Sequence, residues 1–285
     1  MTKLNELTTS CQPNWCPGCG NLAIWAAFKN AAVTNDWNNN NTVIVAGIGC
    51  HGHIVNFTKL NSFEGLHGRA LPVASGIKMA NHRLNVFVFT GDGDSLAEGG
   101  NHFIHASRRN HDMTIILHDN GLYALTTGQT SPASEHGFKS KSTPEGNHDY
   151  PLNPLAMAIA AGATFVAREY AVNIQKLADL ITQANAHKGL AIVDVLQPCP
   201  TFNHEHNHKF YQDNTYYLPD DYDPTNKEKA FAKALEFGLK TIPLGIIYKE
   251  EKLPYESQLP QLSVKPLVEQ EVNLSNLKGL FSTYI

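Results

Sequence analysis

Short apolar runs alternate with longer amphipathic stretches along the first 200 residues. Five of the runs are rich in β-branched and aromatic residues, which is typical of parallel strands that are covered on both faces. The stretches between them carry apolar residues at helical spacing and predict helices. The predicted strands are 42–48, 85–90, 113–118, 164–167 and 190–196, and the predicted helices are 21–35, 70–82, 98–109, 154–162 and 174–187.

Strands that alternate with helices predict an α/β fold, in which helices flank a parallel sheet on both faces. In such sheets, ligands collect at the carboxyl ends of the strands. After about residue 200 the pattern weakens, and one amphipathic helix over 226–239 is the only element predicted there. We therefore expect a cofactor-binding domain over 1–200 and an irregular C-terminal extension over 201–285, which packs on this domain or on a partner subunit.

Composition and charge exclude several classes of protein. The 285 residues carry a net charge of −4, and no run of Lys and Arg is present, which argues against a nucleic-acid partner. No apolar run approaches the roughly 18 residues that span a bilayer. The N-terminal stretch is polar and lacks the apolar core of a secretion signal. We expect a cytoplasmic protein with no membrane or nucleic-acid partner.

A glycine-rich turn follows the second predicted strand, at Gly91, Asp92, Gly93 and Asp94. Glycine lets the backbone turn sharply and approach a ligand closely. A helix is predicted to begin just afterwards, and its free N–H groups suit a diphosphate. Taken alone, this segment is more often a tight turn than a binding site.

Asn120 lies at the end of the third predicted strand. If the second and third strands are neighbours, the oxygens of Asp92 and Asn120 reach the same point above the sheet. Magnesium prefers such oxygen ligands and commonly shares them with phosphate, and the Leu122 carbonyl could add another. The combination predicts a magnesium diphosphate site rather than a simple turn.

The five cysteines are odd in number and come without a secretion signal, so a disulfide framework is not expected. Cys16 and Cys19 form a Cys-x-x-Cys before a helix, and Cys50 and Cys199 follow predicted strands. Four thiolates can bind a [4Fe–4S] cluster or a zinc ion, and their spacing does not discriminate. A dithiol redox pair and ordinary buried cysteines are the other interpretations. The adjacent predicted cofactor favours the cluster, and Cys11 is expected to be free.

Taken together, these segments resemble the β subunit of a 2-oxoacid:ferredoxin oxidoreductase. The resemblance extends in order over about 190 residues, while the tail after residue 205 matches less distinctly. The thiamine diphosphate signature of Gly-Asp-Gly followed by an Asn pair is present, with Asp119 in place of the first Asn. The matching segments are WCPGCG (15–20), GIGCHGH (47–53), LHGRALPVASGIKMA (66–80), GDGDSLAEGGNHF (91–103), DNGLYALTTGQTSP (119–132) and QPCPTFNH (197–204).

The resemblance implies a set of site residues. Magnesium would be held by Asp92, Asn120 and the Leu122 carbonyl, and thiamine diphosphate would lie against the same loops. Three residues, His53, His67 and Arg69, would serve catalysis near the substrate. The predicted cofactor contacts are Gly49, His51, Gly91, Asp92, Gly93, Asp94, Asn120, Leu122, Thr126 and Thr127, with Gln129 in the same loop, and the predicted cluster ligands are Cys16, Cys19, Cys50 and Cys199.

The implied reaction is oxidative decarboxylation of a 2-oxoacid, such as pyruvate or 2-oxoglutarate, with coenzyme A as acyl acceptor. Electrons would pass singly through the cluster to ferredoxin. An α subunit with a pyrimidine-binding domain would complete the site. His51 and His53 stand where the family commonly has Ser and a basic residue, which leaves the substrate open. A non-oxidative decarboxylase subunit with zinc, or a non-catalytic zinc-stabilised binding subunit, are the alternatives.

Overall fold

A computed structural model describes residues 2–238, 240–271 and 277–284. Within this part of the chain, ten strands and nine α-helices are assigned. The strands are β1 (Thr42–Ala46), β2 (Asn61–Glu64), β3 (Asn85–Gly91), β4 (Thr114–Asp119), β5 (Leu122–Tyr123), β6 (Gln129–Thr130), β7 (Phe165–Tyr170), β8 (Ala191–Leu196), β9 (Thr215–Tyr217) and β10 (Ile242–Lys249). The helices are α1 (Gly20–Thr34), α2 (Ile54–Phe57), α3 (Ala70–Ala80), α4 (Gly100–Arg109), α5 (Pro154–Ala161), α6 (Ile174–Ala186), α7 (His208–Asn214), α8 (Lys227–Ala234) and α9 (Leu277–Phe281).

Eight strands form one sheet in the order β2-β1-β3-β4-β8-β7-β10-β9. Every neighbouring pair is parallel except β7 and β10, which are antiparallel. The five predicted strands and five predicted helices of the first 200 residues are confirmed, with ends that shift by a few residues. The central strands β1, β3 and β4 lie side by side, so that their carboxyl ends meet at one edge of the sheet.

Two apolar clusters cover the two faces of the sheet. Alternate residues of β1 and β3 point to opposite sides: Ile44 and Phe87 belong to one cluster, and Val43 and Val88 to the other. Helices α1 and α6 cover the first face, and α3, α4, α5 and α8 cover the second. The predicted α/β fold with helices on both faces is therefore confirmed, and it explains why the strand sequences are continuous apolar runs.

The C-terminal extension contributes to the main sheet. Strand β10 pairs with β7, and β9 pairs with β10. Neither strand was predicted, because Pro243 and Gly245 interrupt the pattern of β10 and because β9 has only three residues. The helix predicted over 226–239 is observed as the shorter α8, Lys227–Ala234. Residue 239, the end of the predicted helix, lies outside the described residues, as do residues 272–276 and 285 of the extension.

The edge strand β2 was also missed, since its sequence, Asn-Ser-Phe-Glu, is polar and exposed.

A further finding concerns membranes. In the described part of the chain, no helix is both long and apolar enough to cross a bilayer.

Candidate active site at the carboxyl edge of the sheet

Asp92 and Asn120, the two predicted magnesium ligands, lie side by side. Asp92 follows the last residue of β3, and Asn120 follows the last residue of β4. These strands are neighbours, with Gly91 opposite His118. The Asn120 amide N–H donates to Oδ1 of Asp92 at 3.4 Å. The structure therefore brings both side chains to one point, as the spacing predicts, while metal binding itself stays a prediction.

Hydrogen bonds hold both side chains in place. The Leu122 N–H donates to Oδ1 of Asn120 at 3.0 Å, and the hydroxyl of Ser131 donates to Oδ2 of Asp92. The Asn203 amide donates to the Asn120 carbonyl at 3.1 Å. Ser131 and Asn203 were not predicted as part of this arrangement, because each comes from a loop that the sequence does not place near β3.

The charge around Asp92 suits a divalent cation. Its carboxylate is 1% exposed, and burial raises its pKa to about 7. Among the residues that the structure describes, no Lys or Arg forms an ion pair with it. Buried carboxylates are stable as anions only when a cation or strong donors compensate them. The donor set of Asp92, Asn120 and the Leu122 carbonyl is one that magnesium accepts, so these residues fit the ion.

Asp94, a predicted cofactor contact, is engaged inside the protein. Its Oδ1 accepts N–H donors from Gly68 at 2.7 Å and from Ile48 at 3.2 Å, and its Oδ2 accepts the Thr90 hydroxyl at 2.7 Å. A Cβ at Gly47 would lie 1.8 Å from Oδ2, so only glycine fits beside this carboxylate. Asp94 thus joins the loop after β1, the end of β3 and the loop before α3.

The loop before α3 carries two of the predicted catalytic residues. Between them, Gly68 is buried and has φ +66°, and its Cβ position would collide with the backbone of Gly99 and Glu98. His67 and Arg69 are exposed on either side of this fixed glycine. The Arg69 guanidinium donates to Nε2 of His102. Both predicted residues therefore stand at the rim of the carboxyl edge, where a substrate from outside can reach them.

Thr126 and Thr127 lie in the exposed turn between β5 and β6. The Thr126 hydroxyl donates to Gln129 Oε1 at 2.6 Å, and the Gln129 amide donates back to the Thr126 carbonyl at 2.6 Å. Thr127 has φ +81°, which is unusual for a β-branched residue and marks a constrained turn. The turn is ordered by its own hydrogen bonds, and both threonines are exposed at its surface.

Four cysteines line one cavity of about 280 Å³. Cys199 is buried, Cys19 and Cys50 are half-buried, Cys16 is exposed, and all are free thiols. The same cavity is lined by Asn120 and by His53, the third predicted catalytic residue. Cys11 is exposed and is not one of the lining residues.

Two side chains join the cysteine segments. The indole N–H of Trp15 donates to the Cys50 carbonyl at 2.7 Å, which fixes the Cys-x-x-Cys segment against the loop after β1. His208 donates from Nε2 to the Gly18 carbonyl at 2.8 Å, and the Tyr170 hydroxyl donates to its Nδ1 at 2.7 Å. These contacts build a single cavity from segments that are far apart in sequence.

Burial favours the neutral form of three of the four thiols. Burial and the neighbouring thiols raise the pKa of Cys50 to about 12, and burial also raises the pKa of Cys19 and of Cys199. Within the described ranges, no group of three or more His, Cys, Asp or Glu side chains is arranged around a single metal ion. The four sulfurs line one cavity, and four thiolates can ligate either a polynuclear cluster or a tetrahedral zinc ion.

Two buried histidines lie between the diphosphate loops and the cysteines. The rings of His51 and His118 are 5.5 Å apart, and burial lowers the pKa of each to about 3, so both are neutral. His118 donates from Nδ1 to Gln197 at 2.8 Å. Each ring has a buried Nε2 without a hydrogen-bond partner in the described structure. His51 was predicted; His118 was missed because it reads as a residue of a buried strand.

Comparisons with known proteins agree with this geometry. Residues 25–195 match the family described as thiamine pyrophosphate enzyme, C-terminal TPP binding domain. Residues 199–264 match the family described as the C-terminal part of the pyruvate ferredoxin oxidoreductase beta subunit. A 2-oxoacid:ferredoxin oxidoreductase subunit beta from Sulfolobus sp is 44% identical over 286 residues, which cover 93% of each chain. One from Saccharolobus solfataricus is 45% identical, covering 88% of this chain and 86% of its own.

A solved structure is similar over nearly the whole chain. It is a 2-oxoglutarate:ferredoxin oxidoreductase from Magnetococcus marinus with 2-oxoglutarate, coenzyme A and succinyl-CoA bound. The TM-score is 0.91 at 33% sequence identity, and the match covers 99% of this chain and 96% of the other. The similarity includes the residues after 200, where β9 and β10 extend the sheet.

Proposed function

Since this chain belongs to the family of 2-oxoacid:ferredoxin oxidoreductase β subunits, we propose that it binds thiamine diphosphate, magnesium and a [4Fe–4S] cluster and catalyses oxidative decarboxylation. The 2-oxoacid is converted with coenzyme A to an acyl-CoA and carbon dioxide, and ferredoxin receives the electrons. The cavity that Asn120 shares with four cysteines is the observation that carries this proposal, because a proposed magnesium ligand and the four proposed cluster ligands line the same space.

On the diphosphate side, Asp92, Asn120 and the Leu122 carbonyl hold magnesium, and the loops at Gly91–Gly93 and Thr126–Thr127 receive the diphosphate. When bound, thiamine diphosphate supplies the carbanion-stabilising chemistry of decarboxylation. The contribution of the chain is to fix this group. Asp92 and Asn120 are held by the hydrogen bonds of Ser131 and Leu122, so the ligands are ordered before the ion arrives.

On the cysteine side, Cys16, Cys19, Cys50 and Cys199 ligate the cluster. Contact between the two sides favours electron transfer from the cofactor without a long path through protein. All four thiols are free, as a cluster requires, and a cytoplasmic location keeps them reduced.

We place the 2-oxoacid at the rim formed by His53, His67 and Arg69. A cationic guanidinium suits the substrate carboxylate, since charge-assisted hydrogen bonds to carboxylates are strong. The bound 2-oxoglutarate of the solved relative makes a dicarboxylic oxoacid the first substrate to test, and pyruvate the second. The chain has one thiamine-binding domain of the diphosphate type, so an α subunit supplies the pyrimidine-binding half.

The proposal is tested by anaerobic co-purification with the α subunit and an assay of methyl viologen reduction against a panel of 2-oxoacids with coenzyme A. We expect reduction that depends on thiamine diphosphate, on coenzyme A and on both subunits. The β chain alone serves as the control and should be inactive. Decarboxylation by the single chain at the rate of the complex would overturn the two-subunit proposal. Zinc in place of iron in the complex would overturn the cluster.

A further inference from the structure

The side chain of Gln197 connects the cysteine cavity to the strand that carries Asn120. Gln197 follows β8 and is 2% exposed. Its backbone N–H donates to the Asp119 carbonyl at 2.7 Å, one residue before Asn120. Its side-chain carbonyl accepts from His118 Nδ1 at 2.8 Å, and its amide Nε2 lies 3.8 Å from the sulfur of Cys19.

The orientation of this amide follows from the chemistry of its two partners. The carbonyl oxygen of Gln197 can only accept a hydrogen bond, so the ring nitrogen Nδ1 of His118 must be the donor. The NH₂ group can only donate, and a thiolate sulfur is an acceptor. The arrangement in which Nε2 faces Cys19 and Oε1 faces His118 therefore suits both partners when His118 carries its proton on Nδ1, whereas a flipped amide would turn its carbonyl oxygen toward a thiolate that cannot donate.

A glycine makes this approach possible. A Cβ at Gly20 would lie 2.6 Å from Cγ of Gln197 and 3.2 Å from Cβ of Ala171. Gly20 is also the first residue of α1, for which Cys19 is the N-cap. The Cys19 sulfur thus lies at the positive end of a 15-residue helix. It is also close to the Gln197 side chain, for which only glycine at position 20 leaves room.

The same sulfur receives a second amide donor. The Asn21 side-chain amide lies 3.4 Å from the Cys19 sulfur, and Asn21 is 1% exposed. In the described structure, these two amides are the only side-chain donors that reach any of the four sulfurs. Both side-chain donors therefore converge on Cys19, whereas Cys199 receives backbone N–H groups of residues 201–203.

We propose that Gln197 is a positioning residue that raises the reduction potential of the cluster through its hydrogen bond to the Cys19 sulfur. An N–H donor stabilises the negative charge that the cluster gains on reduction, and hydrogen bonds to sulfur are among the factors that set cluster potentials. The same residue, held by His118 and by Asp119, fixes the position of the cluster relative to the strand that precedes Asn120. This inference rests on the proposed function, because it requires the cluster to be present.

The test is a redox titration of the anaerobic αβ complex, monitored by electron paramagnetic resonance of the reduced cluster. Gln197→Met keeps the length of the side chain but has no N–H donor, so we expect a more negative midpoint potential than in the wild type. Gln175→Met, on the exposed surface of α6, is the matched control and should leave the potential unchanged. A potential in Gln197→Met equal to the wild-type value would overturn the inference.

A second measurement needs no substitution and decides the case if Gln197→Met loads no cluster. Wild-type complex is labelled with ¹⁵N at the side-chain amide of glutamine, and the reduced cluster is examined by pulsed electron paramagnetic resonance. Gln197 is the one glutamine among the residues that line the cavity, so a ¹⁵N coupling supports the hydrogen bond and its absence overturns it. Wild-type complex without iron and sulfide would overturn the proposed cluster itself, and the inference with it.

Discussion

The two sides of the candidate site are built in different ways. On the diphosphate side, Asp92 and Asn120 come from neighbouring strands and are fixed by local hydrogen bonds. On the cysteine side, the four thiols come from three segments that are far apart in sequence, and they surround a cavity rather than touch. The first side is ordered by strand pairing, and the second depends on contacts such as that of Trp15 with Cys50.

This difference has a consequence for function. Strand pairing fixes the diphosphate side as part of the fold, so that substitutions there remove ligand binding and leave the sheet intact. The cysteine side is held by loops, and the bound group itself is expected to contribute to its order, because metal-site ligands couple binding to folding. Three substitutions and one change of pH test this difference.

The largest expected effect is that of Asp92→Ala on thiamine diphosphate binding. Loss of a residue that hydrogen-bonds to a metal ligand commonly lowers metal affinity 10- to 100-fold. Loss of a direct ligand should therefore lower the affinity for magnesium and thiamine diphosphate about 100-fold or more. Isothermal titration calorimetry of the complex with thiamine diphosphate and magnesium measures this. Asp179→Ala, on the exposed surface of α6, is the control. An unchanged affinity in Asp92→Ala would show that the magnesium site lies elsewhere.

The next effect is on the cysteine side. Cys50→Ala should lose most of its iron and sulfide, because a cluster with three thiolates is incomplete, whereas thiamine diphosphate binding should remain. Iron and sulfide analysis after anaerobic purification measures the loss. Cys11→Ala is the matched control, since Cys11 is exposed and does not line the cavity. Loss of the cluster in Cys11→Ala and its retention in Cys50→Ala would reverse the assignment.

A third effect concerns stability at the junction of the two sides. Asp94→Ala leaves three donors, the N–H groups of Ile48 and Gly68 and the Thr90 hydroxyl, without their acceptor. Each buried donor left unsatisfied costs about 1–3 kcal/mol, so we expect the free energy of unfolding to fall by about 3 kcal/mol. Denaturant unfolding checks this. The control is Asp213→Ala, which removes an exposed ion pair with Lys209 and should change the free energy of unfolding by about 0.5 kcal/mol or less.

The smallest effect lies away from both sides, at the amino-terminal edge of the sheet. Glu256 accepts from His111 Nδ1 at 2.5 Å and from the Asp112 N–H at 3.3 Å. Burial opposes ionisation of Glu256, but these hydrogen bonds outweigh it, and its pKa lies below the ordinary value. A lowered carboxyl pKa stabilises the folded state above the ordinary pKa of about 4.3, and this stabilisation is lost as the pH falls through the lower, folded value.

As the pH falls below the ordinary carboxyl value, the segment around Glu256 should therefore lose about 1.5 kcal/mol of local stability and open more often. Amide hydrogen exchange of residues 255–262 as a function of pH measures this opening. The variant Glu256→Gln should abolish the pH dependence in that segment. Strands β3 and β4 should keep their protection over the same range, and equal acid opening of the strands and the segment would contradict a local effect.

Sequence patterns predict the diphosphate side well because its geometry follows from strand adjacency. Once β3 and β4 are recognised as buried apolar runs, the residues that follow them must meet at one edge. Ser131 and Asn203 escape prediction because their loops return to the edge by packing that no local pattern encodes. The inward turn of Asp94 escapes for the same reason, since its three partners come from two separate loops and the end of β3.

On the cysteine side, the sequence predicts that the four cysteines come together, but it does not predict their supporting contacts. Cys-x-x-Cys and the positions of Cys50 and Cys199 after strands suggest the four thiols. The approach of Gln197 to Cys19 depends on Gly20, whose role is visible only when Gln197 is seen beside it. In the same way, Pro243 and Gly245 conceal β10 in the sequence, although its apolar residues are buried against β7.

The most direct test of the account is whether substrate reduces the cluster only through an intact diphosphate side. The anaerobic complex with thiamine diphosphate and magnesium is mixed with a 2-oxoacid and examined by electron paramagnetic resonance. We predict the signal of the reduced cluster in the wild type, and no such signal in Asp92→Ala, whose cluster dithionite still reduces. Equal reduction by substrate in Asp92→Ala, or none in a wild type whose cluster dithionite reduces, would contradict the account.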